Sequence, residues 1–191
     1  NLRYKNMKLS IVFSFFNEEK NLPILIDETK KAVNTLIEKK YINDYEVIFV
    51  NDDSKDKSTD KIKQSQGLKY KLINMTRNFG NMECILAGFH NAQGDIIVYL
   101  DSDLQDPPRI IVNLVEEYIK DKSYDVIHTH RTKRHGETGV KKFISRLGYS
   151  YLNKSHDFSL PANCGDFKLI TRKVVNEIIK LDETYPFVRG I

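Results

Sequence analysis

In Asp95-Ile96-Ile97-Val98-Tyr99-Leu100-Asp101-Ser102-Asp103-Leu104-Gln105-Asp106-Pro107-Pro108, a run of apolar residues gives way to carboxylates within a single position. The run is short, β-branched and uninterrupted, the pattern of a strand buried on both faces rather than one that alternates between core and solvent. Past the acidic turn, Asp106 is placed to cap a helix with Pro107 at its first position, and that helix extends to about Lys120. Strand, polar turn and helix therefore follow one another within a few dozen residues, as in a parallel sheet with helical crossovers.

The same word recurs on either side. Residues 8–16 form an apolar, aromatic run that ends in Asn17-Glu18-Glu19, from which a helical pattern leads to about Lys40. Tyr45 to Val50 is a second strand, broken by Asn51-Asp52-Asp53-Ser54 and followed by a polar helix from Asp56 to Gln66. Lys69 to Asn74 is a third strand, and Asn78 to Ala92 a helix with Met82, Ile85, Leu86 and Phe89 at helical spacing. After the central stretch come a strand at Tyr124 to Thr129 and an apolar helical stripe at Val140, Phe143, Ile144, Leu147 and Tyr151, assigned to the core. Asp166 to Thr171 is a further strand before a last helix. The expected class is α/β, a Rossmann-like, mostly parallel twisted sheet with helices on both faces and right-handed crossovers. Ligands then belong at the carboxyl ends of the strands, where the first and third acidic turns are expected to converge on one crevice.

The 191 residues suit one α/β domain, and 40% hydrophobic with 29% charged residues excludes disordered, collagenous and disulfide-scaffold classes. Cys84 and Cys164 stand 80 positions apart with no CxxC partner, which reads as two inert thiols in a reducing compartment. No apolar run reaches the length of a membrane span, and Asn1-Leu2-Arg3-Tyr4-Lys5-Asn6 is no signal peptide. A first residue other than Met and an end on Ile191 without a polar tail point to a fragment of a longer protein. Residues 120–154 carry a local charge of +6 while the remainder sums to −2, a patch suited to anionic lipid or a phosphorylated substrate.

Asp101, Asp103 and Gln105 put two carboxylates and an amide oxygen on one tight turn, hard oxygen donors suited to Mg²⁺ or Mn²⁺ with a diphosphate as co-ligand. The plain alternative is a turn whose aspartates merely accept from backbone N–H groups. Further acids crowded at the same sheet edge would repel one another unless a cation compensates. No GxGxxG or GxxxxGK[ST] is present, against dinucleotide-dependent dehydrogenases and P-loop nucleotidases. Phosphates would be met instead by metal at Asp103 and by Arg131, Arg134, Lys168 and Arg189. His128, His130 and His135 are too loosely spaced for a metal site, and no Ser/His/Asp or Cys/His pairing indicates covalent acyl chemistry.

Taken in order, these words resemble the family-2 glycosyltransferases with the GT-A fold, most closely the branch of dolichol-phosphate mannose synthases and bacterial polyprenyl-phosphate glycosyltransferases. Ser14-Phe15-Phe16-Asn17-Glu18-Glu19 is similar to the family's Pro-x-Tyr-Asn-Glu-Glu, and Val50-Asn51-Asp52-Asp53-Ser54 to its Val-Asp-Asp-Gly-Ser. Arg77-Asn78-Phe79-Gly80 and Asp101-Ser102-Asp103-Leu104-Gln105-Asp106-Pro107-Pro108 resemble two further landmarks, the longer word being specific to the branch. Gly165-Asp166-Phe167-Lys168-Leu169 resembles Gly-Asp-Phe-Arg-Leu, and Phe187-Val188-Arg189-Gly190 resembles Phe-x-Arg-Gly. The departures are Ser14 for Pro, Phe16 for Tyr, Asp53 for Gly and Lys168 for Arg.

The resemblance implies a single GT-A catalytic domain over residues 1–191, continued beyond its end by membrane segments that hold it on the cytoplasmic side of a membrane. Ser14, Phe16, Glu18, Asp52 and Arg77, with Asp101, would bind the nucleotide, Asp52 accepting from the base. Asp101, Asp103 and Gln105 would hold the metal and donor diphosphate, Asp166 would be the catalytic carboxylate, and Arg131, Arg134, Lys168 and Arg189 would meet phosphates. The implied partners are a nucleotide-sugar donor, UDP-sugar favoured with GDP-mannose as the other choice, a polyprenyl-phosphate acceptor and a membrane surface, with no nucleic acid. Two other readings compete. Aspartyl-phosphate phosphatases of the haloacid dehalogenase type also place DxD after a buried strand, but Leu104-Gln105 and the strand order disagree with them. A catalytically degenerate GT-A module that binds nucleotide sugar or scaffolds a membrane assembly is the second, favoured by Phe16 and Asp53.

Overall fold

The computed structural model describes residues 7–130 and 164–181. Its elements are β1 (Lys8–Phe15), α1 (Leu22–Glu38), β2 (Asp44–Asn51), α2 (Ser58–Lys63), β3 (Tyr70–Asn74), α3 (Asn81–Asn91), β4 (Ile96–Asp101), α4 (Ile110–Lys120), β5 (Val126–His130), β6 (Cys164–Thr171) and α5 (Arg172–Lys180). They build a six-stranded sheet in the order β3-β2-β1-β4-β6-β5. The ladders among β3, β2, β1 and β4 are parallel, whereas β6 pairs antiparallel with both β4 and β5. The chain winds outward from β1 to β3, then returns to the other side of β1 to lay down β4. The carboxyl ends of β1 and β4 therefore flank the point where the winding direction reverses, the usual place for a ligand in such sheets.

Side-chain alternation divides the core into two layers. Leu9, Ile11, Phe13 and Phe15 of β1 face the layer that also holds Leu22, Leu25, Ile26, Val33 and Leu36 of α1 and Ile111, Leu114 and Val115 of α4. Across β1 and β2, Phe13 and Phe49 stack with ring centroids 5.3 Å apart. Val12, Ile48, Val50, Ile97 and Tyr99 face the opposite layer with Cys84, Ile85 and Phe89 of α3 and Val175 and Ile178 of α5. On that second face each central strand turns polar at its carboxyl end: Ser14 follows Val12, Asp52 follows Val50, and Asp101 follows Tyr99. The period-two geometry of a strand keeps these polar groups on the α3 side.

Several element boundaries differ from the sequence expectations, each for a local reason. Helix α1 starts at Leu22 rather than at Asn17, because Asn17 is left-handed (φ 57°) and the 17–19 backbone is bound by the side chains of Ser54 and Asp56 in the loop after β2 and of Ser58 at the start of α2. Asp106 does not cap α4. The N–H groups of Ile110 and Ile111 donate to the carbonyls of Pro107 and Pro108 at 3.0 and 2.9 Å, so a tight turn occupies 107–109 and the helix begins at Ile110. Helix α3 begins at Asn81 rather than Asn78, after Gly80 at φ 104°. Helix α2 is confined to Ser58–Lys63, shorter than the expected span. The stripe at Val140 to Tyr151 lies outside the described residues.

At the end of the sheet away from the polar turns, the Glu46 carboxylate accepts from Ser10 Oγ at 2.8 Å and from the Gln93 N–H at 2.7 Å. Burial alone would raise its pKa, but these donors with Lys8 and Lys71 outweigh burial and hold it below the ordinary value. Helix α3 meets β1 at Gly88, where a Cβ would fall 2.2 Å from Val12 Cγ1. Val12 is β-branched and fully buried, so it has little freedom to turn aside. Gly88→Ala is expected to cost about 2 kcal/mol through overpacking, read as a lower urea midpoint at unchanged slope.

Candidate donor-binding site

The polar turns after β1, β2 and β4 line one cavity of about 310 Å³, which brings together Ser14, Phe16, Glu18, Asp52, Asp101 and Asp103. All three acidic words converge, where the sequence suggested only the first and third. Two of the turns are interlocked. The Asn17 N–H donates to Ser54 Oγ (2.9 Å), the Glu18 N–H to Ser58 Oγ (2.8 Å) and the Glu19 N–H to Asp56 Oδ2 (3.1 Å). In return, the Lys55 N–H donates to Asn17 Oδ1 (2.8 Å) and the Lys57 N–H to Glu19 Oε2 (3.1 Å). Short polar side chains thus replace helical hydrogen bonds, which is why neither loop continues its neighbouring helix. Asp53, where the family word has Gly, adopts φ 63°, and its carboxylate lies 2.7 Å from Lys55 Nζ. Aspartate is among the few residues that tolerate this region, so the departure is accommodated.

Asp52 is 5% exposed. Its Oδ1 accepts the Phe79 N–H at 2.7 Å and its Oδ2 the Gly80 N–H at 3.0 Å, which ties the approach to α3 onto the end of β2. Arg77 stands over the Phe79 ring, its guanidinium carbon 4.4 Å from the centroid, and is not among the residues lining the cavity. Phe16 is 45% exposed at the rim. On the other side, Ser14 and Asp101 are register neighbours on β1 and β4. Asn81 Nδ2 donates to Asp101 Oδ1 at 2.8 Å, and Ser14 Oγ donates to Asn81 Oδ1. Asp103 Oδ1 accepts the Gln105 N–H at 3.0 Å, and the preceding Ser102 Oγ donates to the Ser14 carbonyl at 2.8 Å. Leu104 at φ 61° turns the chain sharply between Asp103 and Gln105.

Among the described residues the cavity lining holds four carboxylates and neither lysine nor arginine. Burial first, and then the charges of Asp103, Asp56 and Asp101, push the Glu18 carboxyl above its ordinary value, against the lowering effect of Asn21. Asn21 Nδ2 donates to Glu18 Oε2 at 2.6 Å. Cys84 also lines the cavity, and burial followed by the Asp52 charge pushes its thiol up to about 12, which makes it inert.

The remaining expectations fall elsewhere. Lys168 is 1% exposed within the sheet, paired in register with Tyr99 of β4 and His128 of β5, and does not line the cavity. Burial and the Lys168 charge hold His128 below its ordinary pKa. Asp166 is described by its backbone in β6, two positions before Lys168. Arg131, Arg134 and Arg189 lie outside the described residues. Phe15, Asn78, Asn81 and Ser102 line the cavity without having been named as site residues, and so does Cys84, read from the sequence only as an inert thiol. Asn78 and Asn81 flank the Phe79-Gly80 word, and Ser102 sits inside the acidic one, so proximity to a motif was the available signal.

Residues 10–179 match the family model described as Glycosyl transferase family 2, and the chain belongs to that family. It is 39% identical over 189 residues to the uncharacterized glycosyltransferase YkcC of Bacillus subtilis (strain 168), covering 98% of this chain and 56% of that protein. It is 34% identical over 188 residues to the prophage bactoprenol glucosyl transferase homolog of Escherichia coli (strain K12), covering 97% of this chain and 59% of that one. The chain thus spans somewhat over half the length of these curated relatives. Among solved structures, TarS 1-349 of S. aureus is similar with a TM-score of 0.62 at 19% identity, over 96% of this chain and 53% of that chain. Glucosyl-3-phosphoglycerate synthase from Mycobacterium tuberculosis, in complex with Mn²⁺, UDP-glucose and phosphoglyceric acid, has a TM-score of 0.62 at 18% identity, over 88% and 58%. The fold is GT-A, with the antiparallel β6 inserted beside β4.

A carboxyl whose folded pKa is raised opposes folding at every pH above that value, and the opposition fades as pH falls through it. Glu18→Gln is therefore expected to raise the melting temperature of the protein in EDTA at pH 8, with the gain disappearing as Glu18 protonates. Thermal melts across a pH series check this.

Proposed function

We propose that the full protein is an inverting glycosyltransferase that moves a sugar from a nucleotide sugar, UDP-sugar favoured over GDP-mannose, to a polyprenyl phosphate at the cytoplasmic face of a membrane. The observation that carries the reading is the cavity at the carboxyl ends of β1, β2 and β4, with Glu18, Asp52, Asp101 and Asp103 and no basic side chain among its described lining. A diphosphate placed there needs a cation. Asp101 and Asp103 present hard oxygens, with the Gln105 amide following, a donor set that fits Mg²⁺ or Mn²⁺. Among the described residues no group of three or more His, Cys, Asp or Glu is gathered into a metal cage. An ion held by two carboxylates and completed by substrate phosphates is the usual arrangement for Mg²⁺. Burial first and then the charges of Asp103, Asp56 and Asp101 raise the Glu18 carboxyl, and a bound cation would offset the part that comes from those neighbouring charges.

The acceptor is supported by the relatives named bactoprenol glucosyl transferase, and the uridine nucleotide by TarS in complex with UDP-GlcNAc and the synthase in complex with UDP-glucose. In the reaction a phosphate oxygen of the lipid forms a bond to the anomeric carbon from the face opposite the diphosphate, whose bond to that carbon breaks. A bound divalent cation would supply charge stabilisation for the departing diphosphate. With a second pKa near 6, roughly nine tenths of a phosphate monoester is already dianionic at pH 7, so a strong general base has little to remove. Asp166 accordingly orients the acceptor. Among the described residues no helix is long and apolar enough to cross a membrane, so anchoring would rest on other parts of the protein.

Calorimetric titration with UDP and GDP, with and without Mn²⁺, tests the donor site. Mn²⁺-dependent UDP binding is expected, and Asp103→Ala is expected to abolish it. Equal affinity in that variant would overturn the assignment. Released nucleoside diphosphate separates the enzyme from a degenerate module. Asp166→Asn is expected to keep near-normal turnover at saturating substrates, and a collapse of kcat would instead make Asp166 the base.

A further inference from the structure

Asn81 joins the two sides of the cavity and lies just outside the Arg77-Asn78-Phe79-Gly80 word. It is the first residue of α3 and lines the cavity. Its carboxamide is used in one direction: Oδ1 accepts from Ser14 Oγ, and Nδ2 donates to Asp101 Oδ1 at 2.8 Å. Ser14 and Asp101 are held side by side by the β1–β4 ladder, while Asn81 arrives from the helical layer above them. Its backbone follows directly on Phe79 and Gly80, whose N–H groups are held by Asp52. A continuous path therefore runs from Asp52 through three covalently linked residues to Asp101.

We infer that Asn81 is a positioning residue for the donor site, orienting the Asp101 carboxylate and linking that orientation to the Asp52 side of the cavity. The inference rests on the donor-site reading above. The residue type matters physically. An amide N–H restrains a carboxylate without adding a positive charge that would compete with a divalent cation. An aspartate at 81 would set two carboxylates against each other. Ser14 Oγ donates to Asn81 Oδ1 and stands 3.5 Å from Asp101 Oδ1, the longer of its two contacts, while Asn81 Nδ2 makes the 2.8 Å bond to that same oxygen.

The test titrates the full chain with Mn²⁺ alone, followed by electron paramagnetic resonance, and with UDP in Mn²⁺ and in EDTA, followed by calorimetry. Asn81→Leu removes both polar contacts at similar volume. Asn81→Ser, which keeps a small polar side chain at the position but is too short to span Ser14 and Asp101, guards against misfolding of the first variant. Both are expected to weaken Mn²⁺ binding and Mn²⁺-supported UDP binding about tenfold, the effect of losing a hydrogen bond to a charged group. The weaker UDP binding that remains in EDTA should match wild type, and the circular-dichroism spectra of both variants should overlay that of the wild type. Wild-type affinities in both Asn81 variants would overturn the inference, as would equal losses with and without Mn²⁺, which mark a merely structural role. If the wild-type chain bound neither Mn²⁺ nor UDP, the donor-site reading would fall and this inference with it. Intact wild-type binding matched by the variants sinks the inference alone.

Discussion

The buried Asp52 carboxylate is the contact on which the rest of the site depends. It takes the Phe79 and Gly80 N–H groups at 2.7 and 3.0 Å, just ahead of the first turn of α3. Helix starts leave backbone donors without intrahelical partners, and their aligned dipoles favour negative charge nearby. Asp52 places its charge at this end from a neighbouring strand and binds the N–H groups of the N-cap Gly80 and of Phe79 before it, so the start of α3 is set against the sheet, and α3 has no side-chain cap of its own. Gly88 then lets the helix body descend onto Val12. Between these two points the helix has a defined height and direction over β1 and β4, and Asn81 arrives beside Asp101.

The electrostatics of the cavity run against stability. Glu18, Asp52, Asp101 and Asp103 gather within one small volume, and burial together with the charges of Asp103, Asp56 and Asp101 holds the Glu18 carboxyl above its ordinary range. At the opposite end of the sheet the same chemistry is resolved differently: Glu46 collects donors from Ser10 and Gln93 and the charges of Lys8 and Lys71, and its pKa falls. One carboxylate is compensated within the protein and the other is left crowded. A local rule broken at one place and obeyed elsewhere is the usual mark of a functional site.

Much of this was legible from residue order. The apolar runs that break into Asn17-Glu18-Glu19, Asn51-Asp52-Asp53-Ser54 and Asp101-Ser102-Asp103 located β1, β2 and β4 to within a residue or two, because buried strands need unbroken apolar sequence and ligand-facing turns do not. The helix starts were less legible. Asn17 and Asp106 look like caps by type, yet Asn17 serves an exchange of hydrogen bonds with residues 54 and 55, and the turn at Pro107 and Pro108 delays α4. Asn78, Asn81 and Ser102 had only their nearness to a motif to mark them, and Cys84 had no motif beside it, so their place in the cavity came from the packing of α3 on the sheet.

By itself the sequence determined the element types, the α/β class, the acidic ends of three strands and, through its motifs, the family. Those properties reside in short windows, where periodicity and residue type are enough. The tertiary structure decided that all three acidic ends share one cavity, that β6 enters antiparallel between β4 and β5, that Lys168 is buried in the sheet, and that Asp52 holds α3 while Asn81 holds Asp101. Each of these joins residues some twenty or more positions apart, and such pairings follow from how the helices and strands pack into layers rather than from any local preference of the chain.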